Sequence, residues 1–102
     1  MKKVNDVKKG WFVVNVRSNC YKKVVEELKN MVLVRNLGNF IFDVVSKKEY
    51  SGYVFINMIA TAEALAAVLQ LRNVFSFLGS NIDPLPLTEA EISFMLSPFR
   101  EG

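Results

Sequence analysis

The groups in this sequence able to do covalent or acid–base chemistry are few and poorly matched. Cys20 is the only thiol, and no histidine occurs among the 102 residues. A His-based triad, a His metal site and an imidazole acid or base are therefore ruled out. Cys20 recurs with Val24 and Leu28 at helical spacing, the position of a buried structural thiol rather than of an activated nucleophile. Glu89 and Glu91 are close, but Thr88 and Glu91 have the spacing of a capping box. Acids in a first helical turn are explained by the free N–H groups and the positive helix end found there. No Cys-x-x-Cys pair offers zinc ligands, and neither phosphate-binding glycine motif is present. The expectation is a non-enzyme with no metal and no cofactor.

What remains is recognition chemistry, carried by rings. Trp11, Tyr53, Phe55, Phe75 and Phe77 fall at alternating positions of three strand-like segments, interleaved with Asn15 and Asn57. Each ring offers about 150 to 250 Å² of surface, so several on one face exceed the few hundred Å² that a monomer ordinarily exposes. The asparagine amides are costly to bury unpaired, so the face is at least partly wet. Either a partner covers it, or the last helix or the Pro84 to Leu87 loop folds back over it as private core.

Composition bounds the setting. A chain of 102 residues, 51% apolar or aromatic and 23% charged, is one globular domain rather than a disordered segment. A lone thiol makes no internal disulfide and fits a reducing cytoplasm. Glu63 and Arg72 interrupt the most apolar stretch, which leaves no run of roughly 20 residues able to span a bilayer, and no export signal is read at the lysine-rich start. The net charge of +3 sits mostly on Lys2, Lys3, Lys8, Lys9, Lys22, Lys23, Lys47 and Lys48, and permits nucleic-acid proximity without demanding it.

The elements that must position the rings follow from periodicity. Trp11 to Val16 alternates as a strand, with Trp11, Val13 and Asn15 on one face and Phe12, Val14 and Val16 on the other. Ser18 or Asn19 is placed to cap a helix with Cys20, Val24, Leu28, Met31 and Val32 at helical spacing. Gly38 and Asn39 mark a turn into a strand from Phe40 to Val45. A third strand from Gly52 to Met58 sets Tyr53, Phe55 and Asn57 against Val54, Ile56 and Met58. Thr61 caps a helix from Ala62 to Leu71, and a fourth strand from Val74 to Leu78 puts Phe75 and Phe77 on one face. After Pro84 and Pro86, the capping box and a Leu87–Ile92 staple start a last helix that runs to about Leu96. The order βαββαβα with right-handed crossovers predicts an α+β, ferredoxin-like plait. It has a four-stranded antiparallel sheet, two helices on one face and a short C-terminal helix. The domain is expected over residues 11–97, between a basic, flexible segment 1–10 and a tail 98–102.

Two families present an aromatic face on this framework. Ser51-Gly52-Tyr53-Val54-Phe55-Ile56 and Phe12-Val13-Val14-Asn15 resemble the strand signatures of the RNA-recognition motif, which stacks single-stranded RNA on its sheet. Ser51 replaces the basic residue of that signature, however, and parity turns Phe12 to the helix side. Trp11-Phe12-Val13-Val14 is similar to the opening Trp-Tyr-Val-Val of the NusG N-terminal domain, and Tyr50 to Met58 to its Phe-Pro-Gly-Tyr-Val strand. Val74 to Gly79, Pro84-Leu85-Pro86-Leu87, Glu91-Ile92 and Met95-Leu96 then follow that family's Val-x-x-Phe-Ile-Gly, Pro-x-Pro-Ile and Glu-Val-x-x-Ile-Met succession. The second resemblance covers Trp11 to about Leu96. It is taken as the primary reading, with RNA binding as the alternative.

The NusG resemblance implies a transcription elongation, termination or antitermination factor domain. It would dock on the clamp helices of the RNA polymerase largest subunit and modulate pausing and processivity. Tyr50, Ser51, Gly52, Tyr53, Phe55 and Phe77, with Asn15 at the edge, fall on the family's pocket, where Gly52 would permit the turn into the third strand. Gln70, Leu71, Arg72 and Asn73 fall where the family faces upstream or non-template DNA. Ser51 stands where proline is usual, and the hairpin from about Ser46 to Ser51 is short. The family's C-terminal KOW domain has no counterpart in this sequence, and a monomer is expected.

Overall fold

The computed structural model describes residues 7–96. The strands are β1 (Lys9–Val16), β2 (Ile41–Val45), β3 (Tyr53–Ile59) and β4 (Val74–Phe77). The helices are α1 (Tyr21–Val34), α2 (Ala62–Leu69) and α3 (Glu89–Leu96), and a single 3₁₀ turn, Lys48–Tyr50, leads into β3. The strands form one antiparallel sheet of four in the order β2-β3-β1-β4, the arrangement of a ferredoxin-like plait. Element ends move by one or two residues from the sequence expectation, as hydrogen bonding at frayed ends allows. β1 starts at Lys9, so Lys9 and Gly10 are strand rather than flexible segment. Residues 1–6 and the tail 98–102 lie outside the described residues.

Helices α1 and α2 cover the same side of the sheet. Val24, Leu28 and Met31 of α1 and Ala64, Leu65, Ala67 and Val68 of α2 join Phe12, Val14, Val16, Val54, Ile56 and Met58 in one core. The β-branched and large aliphatic members sit at alternate strand positions and helical spacing, which lets one apolar layer close over another.

Local chemistry sets the boundaries. Thr61 Oγ1 accepts from Ala64 N at 3.1 Å and caps α2. Thr88 Oγ1 accepts from Glu91 N at 3.1 Å while Glu91 Oε1 accepts from Thr88 N at 2.8 Å, the reciprocal bonds of a capping box. The start of α1 differs from expectation: neither Ser18 nor Asn19 caps it. Asn19 takes the left-handed region at φ 68° inside a turn closed by Cys20 N donating to Arg17 O at 2.9 Å. This leaves Cys20 at the cap position with no side-chain bond. Asparagine tolerates that backbone better than most residues, and the turn outcompetes the cap.

The connection after β4 crosses the start of β1. Gly10, at φ +154°, lies so close to the strap that a Cβ there would meet Pro86 Cβ at 3.1 Å. Leu87 N donates to Trp11 O at 2.8 Å, and Lys8 Nζ pairs with Asp83 Oδ1 at 2.9 Å. These contacts carry α3 to the side of the sheet that α1 and α2 leave open.

Candidate docking face

Register decides which side chains share the open side. Across β1 and β3, Trp11 lies opposite Asn57, Val13 opposite Phe55 and Asn15 opposite Tyr53, all away from the core helices. Directly opposite residues of an antiparallel pair project to the same face. β2 adds Asp43 beside Asn57 and Val45 beside Phe55, and β4 adds Ser76 beside Asn15. The parity read from β1 and β3 therefore holds.

Within this face the residues divide by depth. Val13 and Phe55 are buried yet stand apart from the core beneath the helices, forming a separate apolar floor. Phe55 is 0% exposed, because it sits mid-sheet and Tyr50 from the 3₁₀ turn meets it edge to face with ring centroids 5.8 Å apart. Trp11, Asn15, Tyr50, Tyr53 and Asn57 are half-buried and form the accessible rim, and Ser51 and Gly52 share that partial exposure at the turn. Asn15 Nδ2 donates to Ser76 Oγ at 3.1 Å, which gives one edge amide a partner without a ligand. The face is a ring-lined apolar patch with a polar border, suited to packing against another apolar surface. Val13 and Phe55 are closed off within the domain itself, whereas the rim around them is only partly buried.

β4 departs from expectation. Phe77 lies opposite Val14, on the helix side, is 3% exposed and belongs to the main core. It is not a member of the open face. The register steps from Asn15–Ser76 to Val16–Val74, which leaves Phe75 as the extra residue of a β-bulge with no partner on β1. Phe75 is 57% exposed and lies beside Arg17, whose guanidinium carbon is 6.0 Å from the ring centroid. A bulge shifts parity by one, and the aromatic spacing of Phe75 and Phe77 carried no sign of it. Gly52 also differs from its expected role: its φ is not positive and a Cβ there would meet nothing within 4 Å, so the turn does not require glycine. Its carbonyl accepts from Val16 N at 2.9 Å.

The segment after α2 is largely engaged within the fold. Gln70 Oε1 accepts from Arg35 Nη1 at 2.9 Å, and Leu71 packs on the core. Asn73 is 6% exposed and takes Arg17 twice, Oδ1 from Nε at 3.2 Å and its carbonyl from the Arg17 N at 2.9 Å. Arg72 alone of these residues points a charged group outward, being exposed with no ion pair among the described residues. Cys20 is a free, half-buried thiol against the core. Among the described residues no cluster of His, Cys, Asp or Glu is arranged to hold a metal, and no helix is long and apolar enough to cross a membrane.

Sequence reasoning placed Trp11 on the open face without assigning it to the site. The structure sets it against α3, across a cleft of about 500 Å³ lined by Trp11, Glu89, Ile92, Ser93 and Leu96. The i, i+4 spacing of Ile92 and Leu96 was the available signal for an apolar stripe directed at the sheet.

Comparisons with known proteins bear on the family and the fold. The family model described as transcription termination factor nusG matches residues 9–96. The transcription termination/antitermination protein NusG of Rickettsia conorii is 29% identical over 101 residues, covering 82% of this chain and 53% of the relative. That of Streptococcus pyogenes is 31% identical over 108 residues, covering 86% of this chain and 60% of the relative. The chain thus spans little more than half the length of these curated relatives. Among solved structures, one of Thermotoga maritima NusG, described as showing domain interaction, superposes with a TM-score of 0.75 at 27% identity, over 87% of this chain and 56% of that one. A chain of the Spt4 heterodimer complex from Methanococcus jannaschii matches at TM-score 0.69 and 13% identity, over 89% of this chain and 100% of that one, and shares the fold. The chain, matched by that family model from residue 9 to residue 96, belongs to the NusG family.

Proposed function

We propose that the open face docks on the helical tip of the RNA polymerase clamp, carried by the largest subunit. Acting in transcription elongation, termination or antitermination, the domain would modulate pausing and processivity by holding the cleft closed over the nucleic acids. The supporting observation is the partly buried pair Trp11 and Tyr53 beside the buried floor of Val13 and Phe55, on the side that α1 and α2 leave bare. An amphipathic helix recognises such a surface by laying its apolar face into the groove. Tyr53 and Trp11 supply contact area, Tyr50, Ser51 and Gly52 the wall, Asn15 the polar edge, and Phe55 the support beneath. Phe77 is excluded by its place in the core.

Contact with upstream or non-template DNA belongs to the same reading and falls to Arg72, with Gln70, Leu71 and Asn73 acting only by holding the segment. The role is non-catalytic, and it places the chain as a monomer in the cytoplasm with the transcription machinery. The RNA-recognition alternative is disfavoured because Phe12, the ring it needs on the first strand, is 0% exposed within the core.

The deciding measurement is titration of the chain against an isolated clamp coiled coil and against single-stranded RNA, with Tyr53→Ala as probe. Clamp binding that Tyr53→Ala weakens about thirtyfold or more, a hot-spot loss of roughly 2 kcal/mol, supports the reading. RNA binding abolished by the same change, without clamp affinity, overturns it.

A further inference from the structure

We infer that the flank where the end of α2 meets β1 and β4 is a track for a single-stranded nucleic acid. Arg17, Arg35 and Arg72 hold its phosphates, and Phe75 stacks one of its unpaired bases. The inference rests on the DNA contact given above to Arg72 and adds to it two further arginines and a ring. Docking on the clamp does not depend on it.

Three observations carry it. First, the arginines converge. All three arginines of the described residues sit at the segment 70–73. Gln70 Oε1 accepts from Arg35 Nη1 at 2.9 Å at one end, Asn73 Oδ1 accepts from Arg17 Nε at 3.2 Å at the other, and Arg72 lies between. Each of the three is exposed, and none makes an ion pair among the described residues.

Second, the groups that hold them leave their charge intact. The partners of Arg35 and Arg17 are neutral amides, and no aspartate or glutamate occurs from Val7 to Val25 or from Ala64 to Ile82. A guanidinium has five donors, so one bond to an amide orients it and leaves the rest of its fork for a phosphate. Arg35 and Arg72 follow the ends of α1 and α2, where a cation is favoured in any case. That preference explains a charge there, but not the orienting amides or the ring beside them.

Third, a ring stands beside the track. The bulge takes Phe75 out of the β1–β4 ladder and leaves it 57% exposed, with the Arg17 guanidinium carbon over the ring at 6.0 Å from its centroid. An arginine over one face of a ring leaves the other for a base, and stacking of this kind accepts any base. A base inside a duplex is already stacked between its neighbours. The ring therefore selects an unpaired strand, which the arginines alone would not do.

The test follows fluorescence anisotropy of labelled oligo-dT, oligo-U and a DNA duplex, each of about 12 nucleotides, titrated with the whole chain over a range of salt. Both single strands are expected to bind more tightly than the duplex, and the tighter of the two distinguishes DNA from RNA as the strand preferred. Phe75→Ala should weaken single-strand binding about tenfold while leaving duplex binding and the salt dependence unchanged, and Phe75→Tyr should restore it. Arg35→Gln and Arg72→Gln should each lower the slope of log affinity against log salt by about 0.7, the signature of one lost phosphate contact, which a structural role of either residue does not produce. The inference is overturned if the duplex binds as tightly as the single strands, if Phe75→Ala binds like the unaltered chain, or if both arginine variants keep the full slope. Clamp binding without single-strand binding overturns the track and leaves the docking reading standing. Single-strand binding that Tyr53→Ala abolishes places the strand on the open face and overturns the track in favour of that surface.

Discussion

Tyr50 meets Phe55 edge to face at 5.8 Å, at an interplanar angle of 76°. The contact fastens the 3₁₀ turn to the centre of the open face, so the wall of the groove and its floor are one packed unit. On the docking proposal, support and contact are thereby separated: Phe55 is fully buried beneath Tyr50, and Tyr53, one strand step away on the same face, keeps part of its surface accessible.

That separation predicts opposite behaviour for two neighbouring rings. Phe55→Ala removes a fully buried ring and should cost about 3 to 5 kcal/mol of unfolding free energy, read from urea denaturation. Tyr53→Ala, at a half-buried position, should cost under about 1.5 kcal/mol while carrying the larger loss of clamp affinity per folded molecule. Equal stability losses would mean that Tyr53 is core as well.

Phe77 provides the matching control. It lies opposite Val14 under the helices, so Phe77→Ala should destabilise by roughly 3 to 5 kcal/mol. Phe77→Leu should recover most of that loss, and any folded Phe77→Leu protein should bind as the unaltered chain does. Reduced affinity in a Phe77→Leu variant of normal stability would return the residue to the face.

The sequence made the inner strands and helices legible because their signals are periodic. Alternation in β1 and β3 assigned Val13, Asn15, Tyr53 and Phe55 to one side, and the Thr61 and Thr88–Glu91 caps marked helix starts as observed. The edge strands were less legible for a definite reason. Each contains a bulge, at Phe42 in β2 and at Phe75 in β4, and one extra residue inverts the parity beyond it without any compositional mark. The depth of Phe55 was hidden for a different reason, since burial on the open side depends on where Tyr50 lands, which is a tertiary fact. So is the engagement of Asn73 with Arg17, which turns that amide inward.

Asn73 offers a third prediction. Its buried amide and its carbonyl both take Arg17, tying the end of β1 to the start of β4. Asn73→Ala removes the acceptor for Arg17 Nε and should cost about 1 to 3 kcal/mol. Arg17→Ala should cost a comparable amount, since it leaves the buried Asn73 Oδ1 without its donor, and the double variant should be less destabilised than the sum of the two, which a double-mutant cycle measures. Strict additivity would show that the bond contributes nothing.

The edges themselves predict solution behaviour. β2 and β4 terminate the sheet, and an unprotected edge is a template for another strand. Both carry a bulged aromatic beneath a cation, Lys9 Nζ 5.6 Å from the Phe42 centroid and Arg17 6.0 Å from Phe75. On β4 the protection extends to the backbone. Leu78 N donates to Val13 O at 2.9 Å, so the preceding Phe77 N–H points away from β1, and Asn81 Oδ1 accepts it at 2.8 Å. Asn81→Ala bares that donor on the outer edge. The expected result is a stability loss of about 1 kcal/mol together with concentration-dependent dimerisation in sedimentation velocity, while the unaltered chain stays monomeric. Adding Phe75→Thr to Asn81→Ala, which removes the bulged ring, should strengthen the association. A dimeric unaltered chain at micromolar concentration, or an Asn81→Ala variant that remains monomeric at every concentration, would show that these edges are protected by something other than the bulge and the asparagine.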